Sequence, residues 1–96
     1  MKHAVLIKRN KAAIAALVSK RRAANPRLFG SALTGLDGED SDIDILVDAL
    51  PGATLFDLGA LQVELEELLG APVDLLTPGD IAPSFRLRVL AEAQAI

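Results

Sequence analysis

The chain has no cysteine, no tryptophan and no tyrosine, one histidine, and three phenylalanines among its 96 residues. Without cysteine there is neither a disulfide framework nor a thiolate metal site, and one histidine cannot build a histidine-clustered zinc centre. Phe29, Phe56 and Phe85 offer too little aromatic surface for a platform on which nucleic-acid bases stack. Long apolar runs are missing too, since no stretch approaches the roughly 18 residues that span a bilayer. The opening Met1-Lys2-His3-Ala4-Val5-Leu6-Ile7-Lys8-Arg9 reaches charge after four apolar residues, too few for a signal-peptide core. The expectation is a cytoplasmic protein without membrane contact. What is present, 51% hydrophobic and 24% charged residues, excludes a disordered tail. A chain of this length has room for one core, so residues 1–96 are read as a single domain.

Charge is divided sharply along the chain. Residues 1–27 hold eight cations (Lys2, Lys8, Arg9, Lys11, Lys20, Arg21, Arg22 and Arg27) and no acid, whereas residues 28–96 hold all thirteen acids with only Arg86 and Arg88. A basic arm can mean nucleic acid. These cations, however, recur around a helix whose other face is apolar, so a solvated helix face is preferred over direct nucleic-acid binding.

The periodicity predicts the order α-β-turn-β-α-β-α, an α/β (α+β) fold. One amphipathic helix is expected from about Ala4 to Arg22, with Leu6, Ala13, Ile14, Leu17 and Val18 inward and Asn25-Pro26 breaking it. Arg27-Leu28-Phe29 is a short strand candidate running into Gly30-Ser31, and residues 32–41 form a polar turn. Asp42 to Val47 is the clearest strand, with Ile43, Ile45 and Val47 alternating against Asp42, Asp44 and Leu46. Thr54 to Leu69 is the most secure helix, opened by Thr54 and Asp57, closed by Gly70, and buried along Leu55, Leu58, Leu61, Leu65, Leu68 and Leu69. Pro72 opens a third strand, Val73 to Thr77. Asp80 or Ser84 could cap a last helix reaching about Ala93.

Asp42 and Asp44 lie two apart on a strand, so both side chains face one way. Two unpaired carboxylates in an Ile- and Val-rich strand call for a compensating cation, and a divalent metal is the simplest. The helix after this strand makes the next strand parallel to it if the two are neighbours, which brings Asp74 to the same sheet edge. An antiparallel first strand would end there as well, delivering Gly30 and Ser31, whose hydroxyl and following amides suit phosphate oxygens. Oxygen-only ligands favour Mg²⁺ or Mn²⁺. Such a site fits nucleotidyl or phosphoryl transfer. Other readings stand beside this one. Asp37, Glu39, Asp40 and Asp42 could be a solvated acidic loop, although a calcium loop counted from Asp40 would need glycine at Ile45. Asp74 alone could be an ordinary strand-end residue, Asp48 and Asp80 read as surface residues or caps, and His3 as uninvolved beside a frayed terminus.

Together, Phe29-Gly30-Ser31, Gly35, Ser41-Asp42-Ile43-Asp44-Ile45-Leu46-Val47 and Val73-Asp74-Leu75-Leu76 resemble the minimal nucleotidyltransferase (MNT) family, of the DNA polymerase β-type nucleotidyltransferase fold. The resemblance runs over nearly the whole chain. It implies a small three-stranded mixed sheet with helices packed on it. It further implies that Asp42 and Asp44 are paired metal ligands, Asp74 the third carboxylate, which can also help deprotonate the attacking hydroxyl, and Gly30 and Ser31 the holders of the nucleotide triphosphate. By the same resemblance the chain is an Mg²⁺-dependent adenylyltransferase. It would use ATP as an antitoxin, modifying a tyrosine of a cognate HEPN-domain toxin with which it could form a hetero-oligomer. Many members carry an arginine in the loop that here reads Gly30-Ser31-Ala32-Leu33-Thr34-Gly35. Its absence motivates an alternative, a catalytically weak or inactive antitoxin that neutralises its partner by binding alone.

Overall fold

A computed structural model gives the fold and describes residues 2–30 and 42–96. The single helix expected over Ala4–Arg22 is two, α1 (Lys2–Arg9) and α2 (Lys11–Lys20). Asn10 divides them. Its amide donates to Ile7 O at 3.1 Å and its side-chain Nδ2 to Leu6 O at 2.8 Å, while Ile14 N–H takes Asn10 O at 2.9 Å to start the next helix. A short amide side chain that bonds the preceding turn competes with continued helix. The bend lets residues on both helices reach the core: Ile7, Ile14 and Val18 are all buried. His3, read from the sequence as peripheral, is buried too, at 3% exposure.

Strand β1 (Ala23–Phe29) is longer than the three residues expected, because Asn25-Pro26 bends the strand instead of ending it. Its pairing with β2 (Ile43–Ala49) shifts register between Ala24 and Arg27, and Asn25 there has φ 53°. Such an irregularity accommodates a left-handed asparagine and a proline that has no amide to donate. Strand β2 runs antiparallel to β1 and parallel to β3 (Val73–Leu76). Among the described residues the sheet has four strands in the order β3-β2-β1-β4, not three. The added strand, β4 (Gln94–Ala95), lies antiparallel on β1, and Ile96 N–H extends the contact to Pro26 O at 2.9 Å. Two residues are too few to leave a period-2 signature.

Helix α3 (Leu55–Leu69) forms for the reasons the sequence suggests. Thr54 Oγ1 accepts from Asp57 N–H at 3.2 Å, Asp57 Oδ2 accepts from Thr54 N–H at 3.0 Å, and Gly70 closes the helix at φ 66°. Leu61, Leu65 and Leu69 are buried with Leu58 and Leu68 packed beside them, but Leu55, expected in the stripe, is 86% exposed. It begins the first turn, ahead of the point where the helix meets the sheet. The core layer joins this stripe and Ile14 and Val18 of α2 to Leu28, Ile43, Ile45, Val47 and Val73. Leu46, also fully buried, lies on the opposite sheet face by strand alternation.

Helix α4 (Pro83–Glu92) starts without a side-chain cap, from Ala82 with Pro83 in its first turn, so neither Asp80 nor Ser84 plays the part expected. Asp80 caps the preceding 3₁₀ turn (Pro78–Asp80), its Oδ2 accepting from Thr77 N–H at 2.9 Å. Arg86 joins the two, donating to Pro78 O at 2.8 Å and Ile81 O at 3.1 Å.

Gly59 lies exposed inside α3, and a Cβ built on it meets nothing within 4 Å. Gly59→Ala should therefore stabilise the protein by about 1 kcal/mol, through helix propensity and a less flexible unfolded chain. Thermal unfolding would show this as a rise of roughly 4–8 °C. An unchanged melting temperature would mean that α3 is not rigid at this point.

Candidate active site

Two neighbouring strands, β2 and β3, bring the expected carboxylates to one edge, and the end of β1 lies beside them. Phe29 on β1 pairs with Asp44 on β2, and Asp44 pairs with Asp74 on β3, so the three residues form one row across the sheet. Paired residues in adjacent strands share a face. Asp42 immediately precedes β2, two positions before Asp44. Gly30 ends β1 with φ +77°, turning the chain out of the sheet in a conformation natural to glycine. The same residue gives Asp44 its room, because a Cβ at position 30 would fall on the Asp44 carboxylate oxygen Oδ2. Ser31, expected beside Gly30 as a phosphate ligand, lies outside the described residues, as does the loop through Gly35 to Ser41.

The electrostatics agree with this grouping. Burial, and then the neighbouring Asp74 and Asp42 carboxylates, hold the Asp44 carboxyl above the usual carboxylate range. Repulsion of this kind comes from Asp74 and Asp42, each near Asp44, and a divalent cation would relieve it. Among the described residues, no three acidic or histidine side chains are gathered into a metal shell as they stand. The donor set still fits a hard divalent ion: it is all oxygen, it carries like charge, and its central member is packed against a glycine that leaves space.

Asp48, read from sequence as a surface residue or cap, is engaged further along β2. Arg27 Nη2 donates to Asp48 Oδ1 at 3.0 Å and Asn25 Nδ2 to Asp48 Oδ2 at 2.8 Å, and these bonds hold the Asp48 carboxyl below its ordinary value. Arg27, the described cation nearest in sequence to Gly30, is thus committed to Asp48. The end of the basic segment is engaged within the fold. Arg21 Nε and Lys20 Nζ bind Glu64 of α3 at 2.6 and 3.3 Å, and Arg22 Nη1 donates to Gly52 O at 3.1 Å.

One contact near the site escaped sequence reasoning. Glu66 of α3 accepts from the Val73 amide at 3.0 Å, one residue before Asp74. Its only trace in the sequence is position, an acid in the last turn of a helix, where the macrodipole disfavours negative charge.

Residues 11–96 match the nucleotidyltransferase domain family. The chain belongs to that family. It is a nucleotidyltransferase built on the mixed α/β fold of the group, as the sequence resemblance implied. A relative from Methanocaldococcus jannaschii, which carries the provisional name protein adenylyltransferase, is 48% identical over 66 residues, 69% of this chain and 71% of its own length. A solved structure, provisionally titled a minimal nucleotidyltransferase, superposes with a TM-score of 0.81 at 38% identity, over 94% of this chain and 90% of its own. A toxin-antitoxin crystal structure with AMP-PNP superposes with a TM-score of 0.73 at 25% identity, covering 90% of this nucleotidyltransferase and 71% of that chain. Among the described residues, no helix is long and apolar enough to cross a membrane.

Proposed function

We propose that this nucleotidyltransferase is a protein adenylyltransferase that acts as an antitoxin in the cytoplasm, moving AMP from ATP to a tyrosine of a cognate HEPN-domain toxin. The observation that carries the reading is the row Asp44–Asp74 with Gly30 packed against Asp44. The relative named as a protein adenylyltransferase and the toxin-antitoxin neighbour holding AMP-PNP support adenylyl transfer and a toxin partner.

In this reading Asp42, Asp44 and Asp74 would hold Mg²⁺ (Mn²⁺ could serve), which when bound would supply charge neutralisation at the phosphates and acidify the acceptor hydroxyl. Gly30, where β1 leaves the sheet, and Ser31, next to it in the sequence, would receive the triphosphate. The acceptor's phenolic oxygen attacks the α-phosphorus, the bond from that phosphorus to the β-phosphate bridging oxygen breaks, and pyrophosphate leaves. Asp74 would accept the phenolic proton, a role its exposure supports, since Asp44 is half-buried beside Gly30. In-line positioning of the two reactants provides much of the rate.

The test is incubation of the purified pair with labelled ATP and Mg²⁺. Label should appear on one tyrosine of the toxin and vanish with Asp42→Asn or with chelation of the metal. Label that survives both treatments would end the metal assignment. A second reading, neutralisation by binding alone, draws on the missing loop arginine and on the engagement of Arg27 by Asp48. An Asp42→Asn/Asp44→Asn protein that still silences the toxin would favour it.

A further inference from the structure

The backbone of β3 has a fixed starting point. Ile43 N–H donates to Pro72 O at 2.8 Å, so that carbonyl faces β2. Polar groups alternate sides along a strand, and the next amide, that of Val73, therefore points away from β2. On that side β3 is, among the described residues, the edge of the sheet. The Val73 amide is nevertheless satisfied, donating to Glu66 Oε2 at 3.0 Å across the Gly70-Ala71-Pro72 connection. Glu66 lies in the last turn of α3, which has no basic residue to offset the charge, and there its carboxylate works against the helix macrodipole. A side chain unfavourable to its own helix, yet bonded to the first amide of the neighbouring strand, points to a task in the strand.

We propose that Glu66 is a positioning residue that sets the register of β3 on β2 and thereby keeps Asp74 opposite Asp44. The proposal rests on the reading of Asp74 as a metal-binding carboxylate. Strand β3 has four residues and, among the described residues, pairs with one neighbour, so few ladder bonds resist a slip. A shift of one residue would turn Asp74 to the helix-covered face and bring an apolar residue, Val73 or Leu75, into its row. Burial of Val73 at 4% exposure opposes that slip from the apolar side, and the Glu66 bond opposes it from the polar side.

The experiment compares Glu66→Ala, Glu66→Gln, Glu66→Asp and Asp74→Asn, each with the toxin partner present for the transfer assay. In Glu66→Ala the Val73 amide should exchange with solvent roughly tenfold faster or more than in the parent, while amides of α2 are unaffected. The same variant should lower kcat by about 10- to 100-fold and raise the Mg²⁺ needed for half-maximal rate, with KM for ATP little changed. Glu66→Gln keeps an acceptor oxygen and should restore both readouts. Glu66→Asp, one methylene shorter, should behave like alanine and replaces it if alanine does not fold. Unchanged Val73 exchange in Glu66→Ala, or fast exchange with an unaltered kcat and Mg²⁺ requirement, would overturn the proposal. Cross-strand nuclear Overhauser contacts between residues 44 and 74 read the register without any assay of activity. Asp74→Asn with full transfer would therefore remove the metal reading of Asp74 while these contacts still judge the role of Glu66.

Discussion

Replacing Gly30 with alanine should reduce nucleotidyl transfer by about 100-fold or more, since misplacing a group by about 1 Å costs that much. Two effects act at this one position. The left-handed φ of +77° disfavours any Cβ, by about 1–2 kcal/mol. The new methyl would also occupy the place of the Asp44 carboxylate oxygen Oδ2, so the carboxylate must move. Gly70→Ala separates the two contributions. Gly70 has φ +66°, yet a Cβ there meets nothing within 4 Å. That variant should lose about 1–2 kcal/mol of stability from the backbone alone and keep its activity. Thermal unfolding and labelled transfer, measured on both variants, therefore read different quantities. If Gly30→Ala were no less active than Gly70→Ala, the packing of Asp44 against Gly30 would have no part in catalysis.

The placement of Asp44 beside Asp74 is easier to read from the sequence than the elements around it, and the reason is physical. Asp44 and Asp74 stand in neighbouring strands and Asp42 just before the first of them, where two-residue periodicity and a parallel crossover fix which side chains share an edge. The observed pairing of Asp44 with Asp74 follows from that logic. Helix α3 was equally legible, because Thr54, Asp57 and Gly70 mark its ends by local chemistry. Elsewhere the outcome depended on contacts that periodicity does not encode. Asn10 divides a continuous amphipathic pattern through a side-chain bond to Leu6 O, and the Asn25-Pro26 pair bends β1 where a break was expected. Strand β4 exists only because two residues meet the free edge of β1, an event without local signature. Glu66 was hidden for a related reason: its partner amide is seven residues away, across a turn. Ser31 and Gly35 remain expectations, outside the described residues.

Asp44→Asn should abolish transfer and, in the absence of metal, make the protein more stable. The catalytic loss, about 10³-fold or more, follows from the proposal that Asp44 is the central ligand of an ion that would neutralise the phosphates. The gain in stability follows from the direction of the Asp44 shift. Burial and the Asp74 and Asp42 charges raise its carboxyl, so the folded state binds a proton more tightly than the unfolded chain does. Ionised Asp44 is consequently a destabilising group at neutral pH, and its penalty fades as pH falls through the raised value. Asp48 and Glu64 run the other way. Their carboxyls are lowered by hydrogen bonds from Arg27 and Arg21, and their support is lost as pH falls through the folded values. Asparagine at position 44 removes the repulsion at every pH. In EDTA at neutral pH the variant should melt a few degrees higher than the parent, and the difference should shrink on acidification. Added Mg²⁺ should raise the melting temperature of the parent and leave that of the variant nearly unmoved. A variant that melts lower in EDTA, or that keeps the full Mg²⁺-induced rise, would show that Asp44 is a structural carboxylate and not the centre of the metal site.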